Sequence, residues 1–166
     1  MALVEDEMPV DTGAVRVREV NRSDDDFLLA LSPRLSGVPR PAWHTLDSME
    51  QFHSRFMIAT VRKAVENART LIAVSQDAVR LGYIHMQPGK DAVTEEECGY
   101  VAILALTQEA EGQGIARLLM RFAEDWAREM GYRFLSLDVF ADNRHAVDFY
   151  ERGGFRSESI RMVKPL

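Results

Sequence analysis

Two glycines, Gly112 and Gly114, stand between an unbroken apolar run at residues 100–106 and a segment whose apolar residues recur at helical spacing. Glycine lets a backbone bend through left-handed conformations and brings its N–H groups close to a ligand. A helix that starts right after such a turn adds unpaired donors and a partial positive charge. Glu111, Gly112, Gln113, Gly114, Ile115 and Ala116 therefore form a candidate anion site suited to a phosphate group. The turn is not a nucleotide-triphosphate loop, because no Gly-Lys-Ser/Thr follows. It is a poor dinucleotide fingerprint, because the three-glycine pattern is incomplete and no strand ends with an acidic ribose reader at the expected distance.

A second segment, residues 143–155, places Asn143 ahead of Ala146, Phe149 and Tyr150, and then Gly153, Gly154 and Phe155. By itself this describes a capped helix with an aromatic inner face and a glycine stop. Other reactive side chains are scattered. Cys98 has no partner base nearby and reads as a buried structural thiol. His44, His53 and His145 read as surface or loop residues, and no metal-ligand spacing is present, so no metal is expected.

The elements that must hold these residues follow from hydrophobic period and turn chemistry. Residues 1–12 are acidic and read as a mobile tail; residues 13–166 read as one domain. Val15, Val17 and Val20 mark a first strand ended by Asn21, and Ser23 caps a short helix to Leu31. Residues 32–44 hold three prolines and read as a loop. Asp47 and Glu50 form a capping-box pattern for a helix to Ala68, with Met49, Phe52, Phe56 and Ala59 as its apolar stripe. Strands are expected at 70–75 and 80–87, the second broken by Pro88 and Gly89; Glu95, Glu96 and Glu97 are expected in solvent. The run 100–106 predicts a strand covered on both faces. A helix follows on Ile115, Leu118, Leu119, Phe122, Trp126 and Met130, ended by Gly131. A strand at 134–140, a helix capped by Asn143 and a last strand at 155–163 complete the chain. This order predicts a mixed α/β fold: a central mixed, twisted sheet flanked by about four helices, with 100–140 as a parallel crossover.

Bulk properties narrow the partners. The net charge of −6 argues against a nucleic-acid binder and favours cationic substrates such as amines. With a single cysteine no internal disulfide forms, so a reducing, cytoplasmic setting is expected. No basic segment leads into an apolar run at the N-terminus, so no secretion signal is expected. No apolar run approaches the roughly 20 residues of a membrane span.

Together the two motifs resemble those of the GNAT N-acetyltransferase superfamily. Residues 111–116 match its cofactor motif Gln/Arg-x-x-Gly-x-Gly/Ala except at Glu111, and residues 143–155 match Asn-x-x-Ala-x-x-Phe-Tyr-x-x-x-Gly-Phe throughout. The resemblance extends over about residues 14–166 and is tight over 100–155. Glu111 is the departure, since a carboxylate beside a pyrophosphate repels it. Arg117 and Arg121, one turn apart, either offset that charge or form a solvated helix face.

The resemblance implies acetyl-CoA as acyl donor and a primary amine, on a small molecule or a protein, as acceptor. It implies that the backbones of Leu104, Ala105 and Leu106 pair with the pantetheine arm, and that an N–H there polarises the thioester carbonyl. The amine attacks directly. Tyr150 matches a tyrosine that protonates the leaving thiolate, or is a core residue; Asn143 touches the cofactor or only caps its helix. The base is open between Glu97, His85 and water. Acceptor recognition falls to residues 31–46, with Arg34, Arg40, Trp43 and His44, where Trp43 stacks on substrate or packs on the sheet. Alternatives are transfer of another acyl group, or a non-catalytic coenzyme A-binding sensor or interaction domain. In relatives the sheet often closes with two C-terminal strands, whereas residues 156–166 suffice for one. An open strand edge is a liability, so a homodimer with paired or exchanged C-terminal strands is expected.

Overall fold

A computed structural model describes residues 15–62 and 65–166, with the side chains of all but 58–62. The expected tail, residues 1–12, lies outside the described residues. Strands β1 (Val15–Glu19), β2 (Arg69–Ser75), β3 (Arg80–Lys90), β4 (Glu97–Leu106) and β5 (Leu135–Leu137) form one sheet in the order β1-β2-β3-β4-β5. The first three pairings are antiparallel and β4–β5 is parallel, so the sheet is mixed. Helices α1 (Asp25–Ala30), α2 (Ser32–Ser36) and α3 (Leu46–Arg62) come between β1 and β2; α4 (Ile115–Glu129) joins β4 to β5, and α5 (Arg144–Arg152) follows.

The sheet separates two apolar clusters. On one face Leu71, Ala73, Ile84, Met86 and Val101 pack against Ile115, Leu119, Ala123 and Trp126 of α4. On the other, Ile72, Val74, Tyr83, Ile103 and Ala105 pack against Leu28 and Leu31 near α1 and Met57 of α3. Val101 and Ile103 have the same parity yet serve opposite clusters. The cause is a bulge: His85 pairs with Ile103 and Met86 with Val101, which leaves Ala102 as the extra residue of β4.

Local expectations fail where capping or pairing overrides pattern. Asn21, not Ser23, caps the turn Arg22–Asp24, because its Oδ1 accepts the Ser23 N–H while the Asp24 carboxylate accepts the Asn21 N–H. Residues 32–36 are helix α2 rather than loop; Pro33 sits in its first turn, where its missing N–H costs nothing. The N-terminus of α3 is held by Thr45, whose Oγ1 accepts the Ser48 N–H, not by Asp47. Its helix assignment ends at Arg62, and by Asn67 the chain has turned through a positive φ, so helix does not reach Ala68. Phe52 and Phe122 are exposed, while Met57, Met120 and Ala123 take the inward places.

β3 continues through Pro88 and Gly89 to Lys90. Beyond Met86 it pairs only with β4, so the missing N–H of Pro88 is not needed by β2. At the other edge the expected strand 134–140 shrinks to Leu135–Leu137, and residues 155–163 form no strand. Among the described residues nothing pairs with the outer edge of β5, and Ile160 and Met162 are largely exposed.

Candidate active site

β4 has a β3 partner over its whole length, but β5 pairs with it only from Gly99 to Val101. From the bulge at Ala102 to Leu106 the β5-side edge has no strand partner among the described residues. Leu104, Ala105 and Leu106 are thus paired on one side, to Ile84, Tyr83 and Gly82, and open on the other. A diverging strand pair of this shape admits an extended polar chain as an added strand, hydrogen-bonded along its backbone.

The open edge leads into the glycine turn. A 3-10 turn, Gln108–Ala110, carries the chain to Glu111; Gly112 and Gly114 follow at φ +73° and +75°. A side chain is strained in either conformation. A Cβ built on Gly112 would meet nothing within 4 Å, so the space over the turn is open to a ligand. Gly114 is the N-cap of α4 and supplies no side-chain cap, which leaves first-turn amides for an anion. Ile115 is buried and anchors the helix; Ala116 is half-buried. Gln113 is turned back on the turn, its Nε2 donating to the Glu109 carbonyl.

The sequence motif could not show what balances Glu111. Its carboxylate pairs with the guanidinium of Arg34 on α2, 77 positions away in the chain. The unfavourable charge is matched from outside the motif. The same N-terminal segment also reaches the other strand: the His44 ring lies 5.8 Å from that of Phe140, just beyond β5. Trp43 remains half exposed, tilted against His44 at 6.2 Å, and Arg40 Nε donates to the His44 carbonyl. Residues 34–44 therefore bridge the ends of β4 and β5.

Tyr150 sits on the inner side of α5. Its ring meets Phe149 and Phe155 edge-on, at 5.2 and 5.7 Å, and packs on the cluster that Leu104 and Leu106 join. Its hydroxyl makes no hydrogen bond to a described residue, and burial pushes its pKa up to about 12. The Asn143 side chain accepts the Ala146 N–H at 3.4 Å, so it caps α5 as expected.

The base candidates separate clearly. Glu97 opens β4 and is exposed. Tyr100 on β4 donates its hydroxyl to Asp138 at 2.9 Å. His85 is only 4% exposed; its Nδ1 lies 2.8 Å from Thr70 Oγ1 and its Nε2 has no hydrogen-bond partner. Burial holds its pKa below the ordinary imidazole value, with Gln87 acting in the opposite direction. Cys98 is buried, as expected, beside Ser136 Oγ.

The family model described as the Acetyltransferase (GNAT) family matches residues 34–155. An uncharacterized N-acetyltransferase, YdgE, of Bacillus subtilis (strain 168) is 31% identical over 87 residues, 52% of this chain and 54% of that protein. N-alpha-acetyltransferase 30 of Schizosaccharomyces pombe is 42% identical over 57 residues, 34% of this chain and 38% of its own. The chain thus spans about half, or less, of the length of these curated relatives. Among solved structures, a putative acetyl transferase from Pyrococcus furiosus matches with a TM-score of 0.70 at 22% identity, covering 92% of this chain and 99% of that one. That likeness is one of fold.

Proposed function

The chain belongs to the acetyltransferase (GNAT) family, and from that premise we propose that it transfers an acetyl group from acetyl-CoA to a primary amine. The observation that carries this reading is the unpaired β4 edge over residues 102–106, continuous with a glycine turn at positive φ that caps α4. The amides of residues 111–116 would hold the pyrophosphate, and the edge of Leu104, Ala105 and Leu106 would pair with the pantetheine arm. When bound, the thioester supplies the activated acyl group. A β4 edge N–H then polarises its carbonyl, a donor placed where negative charge develops. The amine attacks directly.

Tyr150 is the proton donor toward the sulfur in this reading. With a pKa of about 12 it stays protonated throughout the neutral range. Full transfer to a thiolate of ordinary pKa, about 8.5, is uphill, so its contribution is a hydrogen bond that strengthens as the sulfur gains charge. Asn143 is assigned to the cofactor site through its free amide group; its carbonyl oxygen is already committed to the helix cap.

The acceptor is an amine on a small molecule or at a protein N-terminus, the second suggested by the S. pombe relative's name. Among the described residues no helix is long and apolar enough to cross a membrane, and the buried thiol of Cys98 suits a reducing, cytoplasmic setting. The exposed Ile160 and Met162, together with the open edge of β5 among the described residues, support a homodimer paired through its C-terminal segments. Light scattering at tens of micromolar should give twice the chain mass; a monomer removes that part of the proposal.

Thiol release from acetyl-CoA with a panel of primary amines tests the activity. Amine-dependent release is expected. Tight acetyl-CoA binding without release from any amine would favour a non-catalytic binding domain. Release only from a longer acyl-CoA would change the donor.

A further inference from the structure

On the α1–α3 face of the sheet lies a cavity of about 310 Å³. Its wall is divided by chemistry. Met57 and Ile103 give it an apolar side, while Asn21, Asp25, Thr70 and His85 give it polar groups. Cavities of roughly 300 Å³ with a few convergent polar groups are typical of small-molecule sites. The residue that singles it out is His85. A ring that is 4% exposed, with an unpaired Nε2, leaves a buried polar atom unsatisfied in the free protein. Such groups are uncommon and costly unless a ligand completes them.

Its place in the sheet ties it to the reaction. His85 pairs directly with Ile103, the residue after the bulged Ala102, where the open edge of β4 begins. Neighbouring strands lie about 4.8 Å apart, so the imidazole stands one strand in from that edge. An arm running from the glycine turn along residues 106–102 brings its acyl end to the level of Ile103. A molecule in the cavity can then reach over Ile103 to the thioester while its nitrogen stays near His85.

We propose that this cavity is the acceptor site, that it takes a primary amine carried on a compact apolar body, and that His85 Nε2 accepts the proton the ammonium must lose before attack. This rests on the acyl-transfer reading above. In the tautomer whose His85 Nδ1–H donates to Thr70 Oγ1, 2.8 Å away, Nε2 carries the lone pair that takes this proton. The balance is complete. One ammonium proton goes to Nε2, the amine nitrogen bonds the carbonyl carbon, and the carbon–sulfur bond breaks. The second proton, lost from nitrogen as the amide forms, matches the one gained by the departing thiolate. The products are amide, thiol and an imidazolium that returns its proton to water.

The charged and titratable groups facing His85 within the cavity wall are Arg22 and Asp25, from the turn before α1 and from α1, and Tyr83 on its own strand. Asp25 draws the cationic head group. Tyr83 is protonated at neutral pH, burial raising its pKa, and its hydroxyl points to Met57 Sδ at 3.3 Å. Neither Met57 nor Ile103 brings a titratable group.

The test uses the whole chain with phenethylamine as probe. Added phenethylamine should shift the His85 Cε1–H resonance saturably, with or without acetyl-CoA. His85→Gln should lower kcat/KM for the amine by roughly 10²-fold, the range of a general base, and leave acetyl-CoA affinity unchanged by calorimetry. The acid limb of the wild-type pH profile should lie below about 6.5 and vanish in that variant. Thr70→Val, of similar volume, should lower kcat severalfold with KM little changed. A His85 resonance that ignores the amine overturns the cavity assignment, and wild-type turnover in His85→Gln overturns the base. Thiol release with other amines but not phenethylamine overturns the substrate class. Failure to bind acetyl-CoA at all would instead remove the acyl-transfer reading, while the resonance titration still decides the cavity.

Discussion

The glycine turn at residues 111–116 and the cavity around His85 serve different regions of one sheet and are built by different means. The turn is local: successive residues, two positive φ angles and a helix start make it, and what it offers an anion is backbone amides. The cavity takes side chains from β2, β3, β4, α1, α3 and the turn after β1. Backbone sites are written in glycine spacing, because glycine adopts positive φ at the least cost. A side-chain constellation drawn from six segments has no spacing to read. Arg34 crosses between the two regimes: it lies in the N-terminal segment, and its charge completes the turn.

Tyr150→Phe carries the largest expected effect. It keeps the ring packed between Phe149 and Phe155 and removes only the hydroxyl. If the hydroxyl assists departure of the thiolate, turnover should fall by about 10²-fold, the lower part of the range for such donors. Acetyl-CoA affinity and melting temperature should hold. Turnover equal to wild type would make Tyr150 a packing residue and leave all side-chain chemistry to the cavity.

Asp24→Asn should break the N-terminal region selectively. Asp24 is fully buried and joins Arg18 through two contacts of 2.7 and 3.0 Å, Arg80 at 2.7 Å and the Asn21 N–H. These partners, the Arg18 guanidinium foremost, hold its carboxyl well below the usual carboxylate range. The stabilisation is therefore complete above the unfolded pKa near 3.9 and is lost as pH falls toward the folded value. The variant should lose about 2 kcal/mol at neutral pH, because the buried carboxylate gives up its charge-assisted hydrogen bonds to two part-exposed guanidiniums. Its stability should depend less on pH below about 4. Denaturant melts at two pH values would show both. Acetyl-CoA affinity of the folded variant should change little; a large change would show that the two regions are coupled.

Gly114→Val attacks the turn itself. At φ +75° a β-branched residue is strained. Acetyl-CoA affinity should fall at least tenfold, about 1.4 kcal/mol, by calorimetry on folded protein. Phenethylamine binding should be unaffected. Unchanged acetyl-CoA affinity would remove the turn from the site.

Legibility followed the same division. The run 100–106, the glycine turn, α4 and the Asn143 cap were readable because each depends on neighbours within a few positions. The extent of β3 was not, since whether Pro88 breaks a strand depends on which edge is paired. The bulge at Ala102 left no trace in composition, yet it sends Ile103 to the face opposite Val101. Strand propensity at 155–163 was real but had no partner to satisfy it, and propensity alone does not make a strand. The balance of Glu111 lay in α2, a stretch whose prolines read as loop.

That balance gives the smallest effect and the sharpest test of whether the turn is truly local. Both partners are partly exposed, so the Arg34–Glu111 pair contributes on the order of 0.5 kcal/mol to stability. Its role toward the ligand is different. Two like charges about 8 Å apart in water repel by roughly 0.5 kcal/mol, so a doubly charged pyrophosphate would feel about 1 kcal/mol from an unbalanced Glu111. Arg34→Ala should therefore weaken acetyl-CoA about fivefold at low salt, and less at 0.5 M salt, where the Debye length falls to roughly 4 Å. Glu111→Gln should bind as well as wild type or slightly better, because the repulsion leaves with the carboxylate. Combining Arg34→Ala with Glu111→Gln should recover most of the loss. A double variant as weak as Arg34→Ala would mean that Arg34 contacts the ligand itself, so that the turn depends on the N-terminal region for binding as well as for charge balance.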